Sequence, residues 1–98
     1  MRPEQDETKL QREVQEYVRS IGGYCCKMHG SIYMRSGIPD ILCCIKGRFV
    51  GIETKDGNNT LSQLQMAHGL QIMKAKGIFI KAYSVEDVRK GLEKGGLI

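Results

Sequence analysis

No apolar run in this sequence approaches the ~20 residues needed to cross a bilayer, and Met1 to Lys9 is polar where a secretory leader would be hydrophobic. Low-complexity tracts and internal repeats are also missing, which removes solenoids and fibrous arrays. Neither sign of charge dominates. Fifteen Lys and Arg against eleven Asp and Glu leave +4, a balance that suits a polyanionic partner without requiring one. Chelating cysteine spacing is absent too. The four cysteines form two adjacent pairs, Cys25-Cys26 and Cys43-Cys44, whereas zinc ligands usually sit roughly two to four residues apart. Neighbours on a strand point to opposite faces. The expectation is therefore four reduced thiols packed as small hydrophobes in core strands. These exclusions lead to an intracellular, cytoplasmic chain with no membrane partner.

What remains is a globular composition, 41% hydrophobic and 27% charged over 98 residues. That is enough for a single domain, 1–98, and no second core. So short a chain buries a modest share of its surface, and dimerisation is a natural source of extra stability.

Periodicity supplies the elements. Leu10, Val14, Tyr17, Val18 and Ile21 recur at helical spacing, predicting a helix over Glu7–Ile21 stopped by Gly22-Gly23. Tyr24–Met28 reads as a strand, and His29–Gly37 as a loop. Asp40–Ile45 and Arg48–Lys55 read as a hairpin turning at Lys46-Gly47. A second helix is predicted from about Leu61 to Lys76, ended by Gly77, with a strand over Ile78–Tyr83 after it. Ser84 then caps a last helix carrying Val85, Val88 and Leu92. The order α-β-β-β-α-β-α makes an α/β fold, one central mixed sheet flanked by helices.

The second helix carries two apolar stripes. Leu61, Leu64, His68, Ile72 and Ala75 form the longer, expected to meet the sheet; Met66, Leu70 and Met73 form the other. An outer helix needs one apolar face. The second stripe is therefore either a homodimer interface or a surface covered by the terminal helix.

Chemistry is carried by Glu53-Thr54-Lys55 and by Pro39-Asp40. On a strand, Glu53 and Lys55 project together while Thr54 turns away. Alone, that pair also fits a solvated, self-neutralising edge. A hairpin, however, brings Asp40 and Glu53 close on one sheet, and neighbouring carboxylates repel unless a cation lies between them. Magnesium needs one or two carboxylates plus phosphate oxygens. Lys55 beside such a site suits the charge of phosphodiester hydrolysis.

Pro39-Asp40 followed by Glu53-Thr54-Lys55 resembles the motif of the PD-(D/E)XK nuclease superfamily. Ser36-Gly37-Ile38-Pro39-Asp40-Ile41, the Lys46-Gly47-Arg48 hairpin and Leu61-Ser62-Gln63-Leu64-Gln65 resemble its VRR-NUC branch, across roughly Glu7 to Leu92. That branch includes the nuclease domain of Fanconi-associated nuclease and short stand-alone phage proteins. The resemblance implies a restriction-endonuclease-like fold and a Mg²⁺-dependent DNA endonuclease, with Mn²⁺ as substitute. It also implies, through likeness to Holliday-junction resolvases, a homodimer acting on branched DNA.

By the same resemblance Asp40 and Glu53 hold metal with the Thr54 backbone carbonyl, Glu7 assists directly or through water, and Gln65 and Lys27 join the site. Each keeps a plainer alternative. Glu7 is also a first-turn acid favoured by the helix dipole. Gln65 completes a Ser62-x-x-Gln65 capping box, and Lys27 is also an ordinary solvated strand lysine. His68 lies in an apolar stripe, where a packing role is the common one. The loop holding His29, Tyr33 and Arg35 reads as a DNA-contacting element, with Arg35, Lys46 and Arg48 on backbone phosphates; ordinary surface charge is the alternative for each. A non-catalytic DNA-binding or assembly module, or a nuclease of unbranched DNA or RNA, are the competing functions.

Overall fold

The computed structural model describes residues 6–30 and 33–98. Met1 to Gln5, the first part of the polar N-terminus, and positions 31 and 32 of the loop expected to contact DNA lie outside the described residues. The elements are α1 (Asp6–Ser20), β1 (Tyr24–Lys27), β2 (Ile41–Ile45), β3 (Arg48–Thr54), α2 (Gln63–Lys74), β4 (Ile78–Ala82) and α3 (Val85–Lys94). Their order is the one expected from periodicity, with ends shifted by up to two residues.

The sheet runs β1-β2-β3-β4, antiparallel at the first two pairings and parallel at the last. At the hairpin, Lys46 and Gly47 both adopt positive φ, 51° and 78°, as a two-residue turn with the handed twist of a hairpin demands. The β3-to-β4 connection is a parallel crossover and uses α2. The left-handed residue after α2 is Lys76 (φ 75°) rather than the expected Gly77. Gly77 instead lies so close to Ile72 that a Cβ would meet its side chain at 2.9 Å.

The two faces of the sheet are built differently. Ile41, Cys43, Ile45, Val50, Ile52, Ile78, Ile80 and Ala82 alternate onto one face and meet Val14 and Val18 of α1 and Val88 and Leu92 of α3. Burial of each such side chain contributes roughly 1.5–3 kcal/mol, so this layer is the core. The other face carries α2 alone, over β3 and β4. There Gly69 touches the sheet; a Cβ on it would lie 2.5 Å from the Phe79 ring.

This close approach sets the helix roll. Gly69 is the buried residue of α2, with Gln65, His68 and Ile72 half-buried beside it. The expected sheet-facing stripe is thus only partly realised: Leu64 stays 56% exposed and Ala75 is exposed. Met66, Leu70 and Met73 are uncovered, because α3 packs on the opposite face and cannot reach them.

The cysteine expectation also needs correction. Cys25 and Cys43 face each other in the core, but Cys26 and Cys44 alternate outward onto the α2 side and are exposed. α2 does not extend over β1 and β2, so Tyr24, Cys26, Leu42, Cys44 and Phe49 line an apolar cleft there. Burial pushes the Cys43 thiol up to about 12, with the neighbouring Cys25 adding to it, and raises Cys25 as well. Neither core thiol is a nucleophile at neutral pH. Among the described residues, no helix is long and apolar enough to cross a membrane.

Candidate active site at the open end of the sheet

Asp40 stands at the entry to β2. Two glycines make that position possible. Gly37 has φ 89°, and a Cβ there would meet the Leu64 backbone at 2.7 Å, so the loop passes tightly under α2. Pro39 is buried against Gly51 of β3, where a Cβ would come within 3.1 Å of its ring. The peptide after this clamp is aimed along the sheet, and the Asp40 carbonyl extends the ladder by accepting from Met28 N–H at 2.7 Å.

Glu53 and Thr54 end β3 and, being neighbours, project to opposite faces. Asp40 is fastened to both. Its backbone N–H donates to Glu53 Oε2 at 3.1 Å. Its Oδ2 accepts from Thr54 N–H at 3.0 Å and from the Thr54 hydroxyl at 2.8 Å. Glu53, only 3% exposed, accepts a 2.6 Å hydrogen bond at Oε1 from Gln65 Nε2.

Gln65 closes the capping box and also reaches Glu53. Its Oε1 accepts from Ser62 N–H at 2.9 Å, and its N–H donates to Ser62 Oγ at 3.2 Å, closing the capping box while its amide nitrogen holds Glu53. The cap that starts α2 is therefore also what orients a site carboxylate.

Electrostatics single out Glu53. Its carboxyl rises from an ordinary 4.5 to about 7, first because burial strips it of water, then because the Asp40 charge is near. Lys55 opposes the rise, the Asp40 N–H opposes it too, and Glu7 adds a little to it. Glu7 on α1 and Lys55 beyond β3 thus both act on this carboxylate. Among the described residues no Lys, Arg or His forms an ion pair with Asp40 or Glu53. No group of three His, Cys, Asp or Glu side chains able to hold a metal is found among them either. The donors on offer are two carboxylates and main-chain oxygen, a hard set fitting a magnesium-like ion that keeps most of its water. A carboxyl raised first by burial and then by a neighbouring negative charge is the electrostatic state that such a cation relieves.

The basic residues divide by position. Arg35 is exposed and lines a cleft of about 200 Å³ together with Met28, Met34, Ser36 and Asp40. Lys27 ends β1 directly opposite Ile41, next to Asp40. Lys46 and Arg48 lie at the other end of the hairpin, roughly 20 Å away at ~3.3 Å per residue. Arg48 is engaged within the chain: its Nε donates to Lys76 O at 2.9 Å and its Nη1 to Gly95 O at 3.0 Å. It ties together the chain ends that follow α2 and α3, satisfying carbonyls that a helix leaves open.

One residue of the site has no place in the sequence reading, and another entered it through a different atom. Gln11, 8% exposed, donates from Nε2 to Thr54 Oγ1 at 3.0 Å. The signal was present: Gln11 shares a helical line with Val14 and Val18, and a polar residue on a buried stripe needs a partner. Thr54 entered only as a carbonyl, although its hydroxyl is what touches Asp40.

No family model matches the sequence, and no curated protein matches it either. Solved structures do. A VRR_NUC domain superposes with a TM-score of 0.77 at 26% identity, covering 92% of this chain and 97% of that one. The chain has the VRR-NUC fold. The Holliday junction resolvase Hjc of Archaeoglobus fulgidus, an archaeal hyperthermophile, matches with a TM-score of 0.60. Its identity is 16%, with 76% of this chain and 65% of the resolvase covered, a likeness of fold alone. In the VRR-NUC fold of this chain, Asp40 and Glu53 sit where the antiparallel hairpin meets the parallel crossover, with Gln65 of α2 bonded to Glu53 and Gln11 of α1 to the Thr54 hydroxyl that holds Asp40.

Proposed function

We propose that this chain is a metal-dependent endonuclease that hydrolyses phosphodiester bonds in DNA, structure-selective for branched substrates and working as a homodimer. The observation that carries the reading is the junction of Asp40 and Glu53, two acids joined through the Asp40 backbone N–H, with no ion pair to either among the described residues. Asp40, Glu53 and the Thr54 carbonyl would hold Mg²⁺, with Mn²⁺ as substitute and Glu7 assisting directly or through water. Bound there, the ion would supply Lewis-acid stabilisation of phosphate charge and a nucleophilic water near neutral pH.

The chain's own residues do the rest. Gln65 holds Glu53 by one carboxylate oxygen, and Lys55 would face the phosphate or the attacking water. Lys55 offers positive charge where the transition state gains negative charge. Arg35 and Lys27, beside Asp40, contact backbone phosphates and position DNA without reading its sequence. Met66, Leu70 and Met73, exposed by 48, 63 and 48%, are the surface assigned to the second copy, and two paired sites would nick both strands of a branch.

Labelled four-way junction, flap, duplex and single-stranded substrates, with Mg²⁺ or EDTA, test this. Cleavage of the branched substrates in Mg²⁺ is expected, lost in EDTA and reduced at least ~100-fold by Asp40→Asn or Lys55→Ala. Cleavage that survives EDTA or Asp40→Asn contradicts the mechanism, and equal cutting of plain duplex contradicts branch selectivity.

A further inference from the structure

Asp40 receives help from deep within the closed face. Gln11 reaches across from α1 and donates to the fully buried Thr54 hydroxyl. A hydroxyl has one proton to give. With the Gln11 amide occupying a lone pair, that proton is directed to Asp40 Oδ2, which lies 2.8 Å away. The Thr54 backbone N–H donates to the same oxygen. Oδ2 is thereby occupied by two donors, while Oδ1 accepts no hydrogen bond among the described residues. Every buried side-chain polar atom among those residues is partnered, so the relay Gln11 to Thr54 to Asp40 leaves no buried donor or acceptor unmet.

We infer that Gln11 and Thr54 are positioning residues that lock Asp40 by one oxygen and leave Oδ1 as the single atom it presents to a divalent cation. This rests on the reading of Asp40 as a metal ligand. Its consequence is ion choice. A carboxylate held by one oxygen ligates through the other alone, which suits the octahedral Mg²⁺ or Mn²⁺ shell, whereas Ca²⁺ readily takes carboxylates through both oxygens. Partners behind a metal ligand typically set 10–100-fold in metal affinity.

The test titrates metal-free protein with Mn²⁺, reading free ion by electron paramagnetic resonance, and repeats the titration with Ca²⁺ as competitor. Thr54→Val keeps shape and removes the hydroxyl. It is expected to weaken Mn²⁺ binding roughly 10–100-fold and to narrow the preference for Mn²⁺ over Ca²⁺. Thr54→Ser restores both, and Gln11→Met, which frees the hydroxyl to rotate, falls between. A merely structural role would lower thermal stability in Thr54→Val and leave the ion preference unmoved. If parent protein binds Mn²⁺, Asp40→Asn does not, and Thr54→Val binds as tightly as parent with the same preference, the relay is overturned and the metal site stands. A parent protein that binds no Mn²⁺ overturns the metal site and the relay together.

Discussion

The two faces of this sheet divide the labour. The face under α1 and α3 is sealed, and what it contributes to the site is support: Gln11 and Thr54 hold Asp40 from within the core. The face under α2 is half bare. It carries Glu53, the capping glutamine that orients it, and an uncovered apolar floor on β1 and β2. Glu53 and Thr54 are sequence neighbours assigned to opposite faces by strand alternation alone. Asp40, at the strand entry, is bonded to both. A site at the seam of a rigid layer and an accessible one gets its positioning from the first and its access from the second.

The sharpest way to break that contrast is by packing. Ile52→Ala on the sealed face should cost about 2–5 kcal/mol in chemical denaturation. Phe49→Ala, a larger truncation three positions earlier on the bare face, should cost far less, because Phe49 is already 44% exposed. Comparable losses would mean that the bare face is covered in solution.

A second contrast is electrostatic. Glu53 titrates near 7 folded and near 4.5 unfolded, so the folded state holds its proton more tightly. The metal-free protein should therefore be most stable below about pH 4.5 with respect to this group and lose that stability as pH climbs to about 7. Glu53→Gln should flatten the slope in a series of melting temperatures, and a divalent cation at pH 8 should restore what the parent loses. A parent whose stability rises through this window from Glu53 would contradict the burial assigned to it.

The smallest effect on the fold is expected at Leu70→Asp, within ~0.5 kcal/mol for an exposed helical position. Light scattering should nevertheless show the particle mass falling from two chains to one. An unchanged mass excludes the Met66, Leu70 and Met73 surface as the interface.

Much of this was legible beforehand, for identifiable reasons. Element order, the Lys46-Gly47 turn and the Ser62 and Ser84 caps follow from local periodicity and turn chemistry, which tertiary contacts reinforced. Asp40 and Glu53 were placed together because a hairpin register is arithmetic. The roll of α2 was not legible, since it is set by Gly69 against Phe79, an absent side chain meeting a ring from another element. Nor was the task of Arg48, because its two carbonyl partners lie 28 and 47 residues away. Gln11 stayed hidden for a related reason. Its place on the buried line of Val14 and Val18 signals that it needs a partner, but that partner, Thr54, is 43 residues distant.

The most direct measurement is a crystal of the protein soaked in Mn²⁺, with anomalous scattering recorded at the manganese edge. A single strong peak bridging the Asp40 and Glu53 carboxylates, absent from Asp40→Asn crystals of the same form, is the predicted result. Two well-ordered carboxylates with no ion between them at saturating Mn²⁺ would contradict it.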